Sequence, residues 1–287
     1  MQTYGKLKNI TNEEVLKKYQ ELKTLNKVAK YYGVCRAAIT NYMVKNNIPY
    51  NKKVYKTLNE DFFSTDTPES FYVAGFIAAD GNIYDNIDSS GKKHWTISIS
   101  LKEEDRCQLE NIQKLIGSNH TLYKRIVRGG KRNPKYNDSI TYSLSIFSKK
   151  YCQDLRRFGI EHRKSHTYVI PQWIKKHQFI RHFLLGYFDG DGSISIAKLQ
   201  PKHKTPQSSI HIRGTKELLS DFHEILYQYC NLSKQYKLIN KDSGIYSLQY
   251  GGNPSICRIM SYLYKNAPMY LERKYNVYLT IKGLLKI

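Results

Sequence analysis

The stretch Phe183–Ile196, FLLGYFDGDGSISI, decides how this chain reads. It begins as an apolar helix of about two turns, closes on an acidic residue, Asp191, and is stopped by Gly192. The C-terminal end of a helix carries partial negative charge, so a carboxylate there costs roughly 0.3–1 kcal/mol where a lysine would gain as much. The same oddity recurs at Phe71–Tyr84, FYVAGFIAADGNIY. A shift of 111 residues carries Gly75 onto Gly186, Phe76 onto Tyr187, Ala79 onto Gly190, Asp80 onto Asp191 and Gly81 onto Gly192. The first copy has a clean start, with Thr67 as N-cap, Pro68 at the first helical position and Glu69 at the positive end.

Within each copy small residues fall four apart, Gly75 with Ala79 and Gly186 with Gly190, which leaves one helix face almost bare. Two bare faces can approach closely, as small-xxx-small helices do. Packed side by side and parallel, the two helices bring Asp80 and Asp191 together at their C-terminal ends. At roughly 5 Å and an effective dielectric near 20, the two charges repel by about 3 kcal/mol. A divalent cation removes that repulsion, because carboxylates, the carbonyls left free at helix ends and water form a ligand set that Mg²⁺ accepts. A single Asp-Gly would be an ordinary solvated helix end. Two copies with one glycine spacing read instead as half-sites of a metal centre.

The bulk numbers point the same way. Lys and Arg total 46 against 24 acidic residues in 287, giving a net charge of +22, more than solubility requires and suited to a polyanion. No run approaches the roughly 18 apolar residues of a membrane span. The opening MQTYGKLKNI lacks the apolar core of a signal peptide, so an intracellular, non-secreted protein is expected. The five cysteines (Cys35, Cys107, Cys152, Cys230 and Cys257) are scattered and odd in number, without CxxC spacing, and read as reduced thiols with neither a disulfide frame nor a zinc site.

Residues 1–52 stand apart as a small helical module. NEEVLKKYQEL carries Val15, Leu16, Tyr19 and Leu22 at helical spacing, and LNKVAKYYGVCRAAITNYMVKNNI follows with a break at Gly33. Ala29 lies four before that glycine and Ile39 six after it, the pattern of a helix-turn-helix: a small residue where helices cross, Gly in the turn, an apolar residue facing the shared core. The second helix would turn Arg36, Thr40 and Asn41 toward a major groove. Cys35 stands where Ser or Thr would cap better.

Residues 53–67 read as a linker with some apolar anchors. Beyond the first Asp-Gly, HWTISISLK alternates, with Trp95, Ile97, Ile99 and Leu101 on one face and His94, Thr96, Ser98, Ser100 and Lys102 on the other. An amphipathic helix follows, then the basic ribbon LYKRIVRGGKRNPKY turning at Gly129 and Gly130, the alternating TYSLSIF and the helical KKYCQDLRRFGI. The order recurs after the second motif, with the strand SSIHIRG, the helix TKELLSDFHEILYQYC, the hairpin YKLINKDSGIYSLQY and the helix NPSICRIMSYLYKNA. The fold class is α+β: two pseudo-symmetric αββαββα halves, about 68–170 and 171–287, meeting along their glycine-faced helices.

The segments FYVAGFIAADG and HFLLGYFDGDG resemble the motif that names the LAGLIDADG homing endonucleases, over residues 68–287. The resemblance implies a monomer whose halves form a DNA-binding saddle of antiparallel strands over the major groove of double-stranded DNA. It implies a site-specific, Mg²⁺- or Mn²⁺-dependent double-strand break at a long site, the activity behind intron homing. The last Asp of each motif, here Asp80 and Asp191, would bind metal, with main-chain carbonyls from Ala79 and Gly190. The first motif has Ala78 where the family name has an earlier Asp, a position that is not the metal ligand. A lysine near each scissile phosphate assists catalysis in the family. EHRKS and LERKY, 110 residues apart, offer Lys164 and Lys274. Arg125, Arg128, Lys131 and Arg132 on the basic ribbon, and Arg213 on a second-half strand, would contact DNA. The alternative keeps the fold without the cut: a DNA-binding regulator or an RNA-binding intron maturase. Such descendants would be expected to lose the paired acids.

Overall fold

In the computed structural model, which describes residues 7, 10–50, 57–85, 87, 91, 93–128, 138–199, 205–242 and 244–285, five of the eleven described α-helices begin where a Ser or Thr hydroxyl caps them. The chain divides into two units, Met1–Tyr55 and Lys56–Ile287.

In the first unit Thr11 starts α1 (Asn12–Leu22) with a capping box, its own amide donating to the Glu14 carboxylate at 2.8 Å. Thr24 caps α2 (Leu25–Tyr31), and α3 (Arg36–Lys45) follows. Gly33 takes φ +63° between them, the left-handed conformation glycine allows. Ala29 and Ile39 are buried with Val15, Val28 and Met43 in a small core of their own. Cys35 takes the N-cap position of α3 and makes no side-chain cap bond.

The second unit opens earlier than the sequence suggested. Phe62 and Phe63 are 7% and 1% exposed, the Thr57 amide donates to Asn119 at 2.9 Å and the Tyr151 hydroxyl donates to the Asn59 carbonyl at 2.6 Å. The linker expected over 53–67 is therefore corrected: two aromatic side chains that water would reject fasten 57–67 to the second core.

Thr67 and Ser70 form the capping box of α4 (Pro68–Asp80), which runs into β1 (Gly81–Tyr84). Then come β2 (Thr96–Lys102), α5 (Arg106–Leu115), β3 (Tyr123–Val127), β4 (Ser139–Ile146) and α6 (Lys149–Arg157). A 3-10 turn at Lys164–His166 and the short α7 (Gln172–Lys175) lead to α8 (Ile180–Asp191). The second half repeats the order with β5 (Gly192–Ile196), β6 (Ser208–Gly214), α9 (Lys216–Cys230), β7 (Lys237–Asp242), β8 (Ile245–Gly251) and α10 (Asn253–Tyr264). It ends in α11 (Glu272–Leu284), a helix the sequence reading did not assign.

Each half holds one antiparallel four-stranded sheet, ordered β1-β2-β4-β3 in the first and β5-β6-β8-β7 in the second. The strict alternation of β2 is realised: Ile97, Ile99 and Leu101 are buried while Ser100 and Lys102 are exposed. One continuous core joins the buried sheet faces, the helices α5, α6, α9 and α10 over them, and α4 with α8 in the middle. Among the described residues no helix is long and apolar enough to cross a membrane.

Candidate active site

The helices α4 and α8 touch backbone to backbone. A Cβ on Gly75 would fall on the Phe183 carbonyl, one on Gly186 on the Tyr72 carbonyl, and one on Gly190 on the Ala79 side chain. These are the small residues whose spacing repeats in the sequence, and each stands where any larger one would drive the helices apart. The glycines that end the helices have a different reason from the one their position suggested. Gly81 and Gly192 are extended, at φ −81° and −93°, so no left-handed cap is involved. A Cβ on Gly81 would lie 2.6 Å from the Ile77 side chain, and one on Gly192 would strike the Phe188 ring. Both are glycine because the chain turns into a strand against its own last helical turn.

Close packing brings the two helix ends to one place. The Asp80 carboxyl carbon lies 3.5 Å from where a Gly190 Cβ would be. Asp80 remains open to solvent and Asp191 is half-buried. The surrounding protein lifts the Asp191 carboxyl to about 6, with the Asp80 charge the next cause. Asp80 is also raised by desolvation, opposed first by Lys274 and then by Lys164. Both carboxyls hold their protons more tightly than usual, chiefly because the charged form loses water there. Ala79 and Gly190, in the last helical turns, have carbonyls outside the helical ladder. No group of three or more His, Cys, Asp or Glu that could hold a metal occurs among the described residues. The groups that meet here, two carboxylates and the carbonyls of the helix ends, are all oxygen, the chemistry that suits Mg²⁺ or Mn²⁺ better than zinc.

Lys164 and Lys274 are not surface lysines. They are 7% and 2% exposed. The Lys164 ammonium donates to the Gly81 carbonyl at 2.5 Å, and that of Lys274 to the carbonyls of Phe188, Asp189 and Gly192 at 2.6–2.7 Å. They supply the cation that each motif helix lacks at its negative end. Burial lowers both, Lys274 to about 8. Their charges cross over: Lys274 leads the attraction felt by Asp80, whereas Lys164 precedes Lys274 at Asp191.

The uncovered sheet faces are mostly polar, with Tyr84, Tyr123 and Val127 exposed among the polar residues of the first. In the first half Ser98 pairs with Ser145, Ser100 with Ser143, and Lys102 with Thr141 and through it Arg125. In the second, Ser193 pairs with His211, which pairs with Gln249, and Lys237 completes the row. Arg125, Arg128 and Arg213 are exposed as expected, while Lys131, Arg132 and the turn at Gly129 and Gly130 lie outside the described residues. In the first unit Arg36 and Asn41 are exposed. Thr40 is half-buried, its hydroxyl donating to the Arg36 carbonyl at 2.8 Å, so its proton is already committed to the helix. Sequence reasoning passed over Asp189, which is fully enclosed and accepts from the Tyr72 hydroxyl and the Leu271 amide. Its signal was the mismatch with Ala78 under the 111-residue shift.

No family model matches the chain, and no curated protein does. Solved structures do resemble it. The I-LtrWI LAGLIDADG homing endonuclease bound to target DNA aligns at 13% identity and a TM-score of 0.50, over 79% of this chain and 92% of that one. A mutant of I-SmaMI aligns at 12% identity and a TM-score of 0.51, over 78% and 92%. The chain has the LAGLIDADG fold.

Proposed function

We propose that this chain is a site-specific endonuclease of double-stranded DNA, a monomer working inside the cell, that hydrolyses one phosphodiester on each strand with Mg²⁺ or Mn²⁺. The observation that carries this reading is the meeting of Asp80 and Asp191 at the ends of two helices whose backbones touch, ringed by two buried lysines. A regulator needs a polar, basic surface and has no use for two carboxylates in the middle of it.

Asp80 and Asp191, with the Ala79 and Gly190 carbonyls, would hold the cations. A bound divalent ion supplies the Lewis acidity that makes water nucleophilic near neutral pH and stabilises the leaving oxygen. The chain's own part is to place the rest. The glycine-faced helices fix the spacing of the carboxylates. Lys164 and Lys274 hold positive charge beside them, where a phosphate would otherwise meet only negative groups. The polar sheet faces, with Arg125, Arg128 and Arg213, offer hydroxyls, amides and guanidinium groups to phosphates and base edges. Exposed Arg36 and Asn41 on α3 give the first unit a reading helix of its own, the helix-turn-helix role. The neighbour I-LtrWI is a homing endonuclease bound to its target DNA, which supports the same ligand here.

The test is cleavage of the insertion-free form of the locus beside its gene, with Mg²⁺, with EDTA, and with Asp191→Asn in place of the wild type. The expected result is a Mg²⁺-dependent break at one position, lost in the variant. Specific binding with no cut under any divalent ion would return the chain to the regulator reading. If about eight phosphates are neutralised, the logarithm of affinity should also fall against that of salt with a slope near −7.

A further inference from the structure

The repeat that builds the carboxylate pair is broken just beneath it. The 111-residue shift relates Asp189 to Ala78 and Phe183 to Tyr72. Asp189 is 1% exposed, and one of its oxygens accepts from the Tyr72 hydroxyl at 2.7 Å and from the Leu271 amide at 2.9 Å. Tyr72 accepts in turn from Gln108 at 2.6 Å, so the chain of bonds crosses from the second half to the first. Leu271 is the N-cap residue of α11, and Lys274 lies in the first turn of that helix. The Asp189 carbonyl accepts from the Lys274 ammonium at 2.7 Å. The Asp189 side chain thus grips the start of the helix that carries Lys274, while its main-chain carbonyl, which any residue here would offer, holds the charged end. Arg273 adds a second clamp on Asp105 of the first half at 2.9 Å.

The other half has none of this. Ala78 has no carboxylate and Phe183 no hydroxyl. Lys164 sits in a three-residue 3-10 turn behind Arg163, which takes the left-handed φ of +60°, and its ammonium donates to one carbonyl among the described residues, that of Gly81. The first half also shows that this helix position folds with a bare methyl group. A buried carboxylate is costly, the more so as the second Asp189 oxygen has no partner among the described residues.

We infer that Asp189 is a positioning residue: its carboxylate, bonded to the Tyr72 hydroxyl, anchors the Leu271 amide that opens α11 and so fixes Lys274 beside the paired carboxylates, so the two strand-cutting sites are unequally preorganised and Asp189 governs one of them. The inference rests on the endonuclease reading.

The test measures the nicking rate of each strand separately, on target DNA labelled at either end, for the wild type, Asp189→Ala, Asp189→Asn, Lys274→Met and Lys164→Met. A misplaced group costs up to about a hundredfold, so Asp189→Ala should slow one strand at least about tenfold more than the other. That strand should be the one Lys274→Met slows, and not the one Lys164→Met slows. Asp189→Asn, which keeps an oxygen for the Leu271 amide, should recover most of the balance. Equal slowing of both strands, or slowing of the Lys164 strand, overturns the inference. Should Asp189→Ala fail to fold, Tyr72→Phe copies the counterpart residue and should give the same strand bias at about two- to fivefold. A second arm needs no DNA: in the full chain, exchange of the amides of 271–276 should quicken at least about tenfold in Asp189→Ala, and less in Tyr72→Phe, while 161–167 is unchanged. Unchanged exchange at 271–276 overturns the inference even if no DNA is ever cut, whereas a wild type that cuts nothing defeats only the endonuclease reading.

Discussion

The two halves of residues 68–287 agree where backbone meets backbone and differ, apart from the buried Asp189–Tyr72 pair, where side chains meet solvent. Gly75 and Gly186, Asp80 and Asp191, Gly81 and Gly192, and Lys164 and Lys274 occupy matching places, and both sheets have the same strand order. On the open sheet faces the match is lost. Ser98 and Ser145 of the first half stand where the second has His211 and Gln249, and Ser100 stands opposite Arg213 in the correspondence set by Asn82 and Ser193. Hydrolysis of two strands by one mechanism demands two like sites, and a dyad of helices can supply them only if no side chain intervenes. Reading bases makes no such demand. On the endonuclease reading, serines at these central positions of one sheet and longer His, Gln and Arg at the matching positions of the other suit a target whose two half-sites differ in sequence, because the longer groups reach further toward base edges.

The largest expected effect would break the likeness of the two centres. Asp80→Asn and Asp191→Asn should each abolish the double-strand break, by at least about a thousandfold, while specific binding stays within a few-fold, since phosphate and base contacts lie elsewhere. Supercoiled plasmid separates the outcomes: intact circles mean the carboxylates act jointly, whereas a single nick on opposite strands in the two variants means they act one per strand. Wild-type cutting by either variant would remove the metal assignment.

The next effect tests the contact on which the likeness depends. Gly186→Val places two methyl groups against the Tyr72 backbone, where nothing flexible can yield, and should cost about 3 kcal/mol or more in urea unfolding. Gly283→Ala, near the end of α11 with open space around it, should be neutral or stabilise by about 0.5–1 kcal/mol. Similar values at the two positions would mean the glycines are not there for close approach.

How much of this was legible in the sequence depends on whether the cause was local. The helix starts at Thr11 and Thr67, the alternation of β2 and the glycine spacing follow from near-neighbour chemistry, and all can be read from a short window. So could the acidic pair, because its oddity was duplicated. The burial of Lys164 and Lys274 could not: each reaches back more than 80 residues to a helix end, and RK beside polar neighbours reads as surface. Asp189 was hidden for the same reason, its partners lying 117 and 82 residues away. The linker boundary was misplaced because FF within a polar stretch gives no sign of the core it enters.

A smaller effect concerns the first unit, which stands outside the duplicated pair altogether. Deleting residues 1–55 should leave Mg²⁺-dependent cutting at the same position and weaken binding by about ten- to a hundredfold, since a tethered second module acts through effective concentration. The footprint should shrink on one side only. Arg36→Ala and Asn41→Ala should each account for about 1–3 kcal/mol of that loss if they make bidentate base contacts. Thr40→Ala should matter less, its hydroxyl proton being held by the Arg36 carbonyl. An unchanged footprint would leave the module without a DNA role.

The smallest effect is the most direct measure of the strain between the two carboxylates. Asp191 is held up to about 6 against its ordinary 3.8. Between those values the folded chain binds more protons than the unfolded one, so stability falls as pH rises through the window, and above about pH 6 the folded state carries the whole penalty. Asp191→Asn removes it. The variant should therefore melt above the wild type at pH 7.5, by about 2–4 °C, which is about 1 kcal/mol for a chain of this length after allowance for solvent around the open pair. Near pH 4 the advantage should vanish. Lys274, lowered to about 8, runs the other way: its penalty is complete below pH 8 and fades toward 10.5, so it is constant across the comparison and cannot imitate the result. Millimolar Mg²⁺ should raise the melting temperature of the wild type at pH 7.5 and raise that of Asp191→Asn less, because only the wild type has two charges to be relieved. An advantage that persisted unchanged at pH 4 would place its source outside the carboxylate pair.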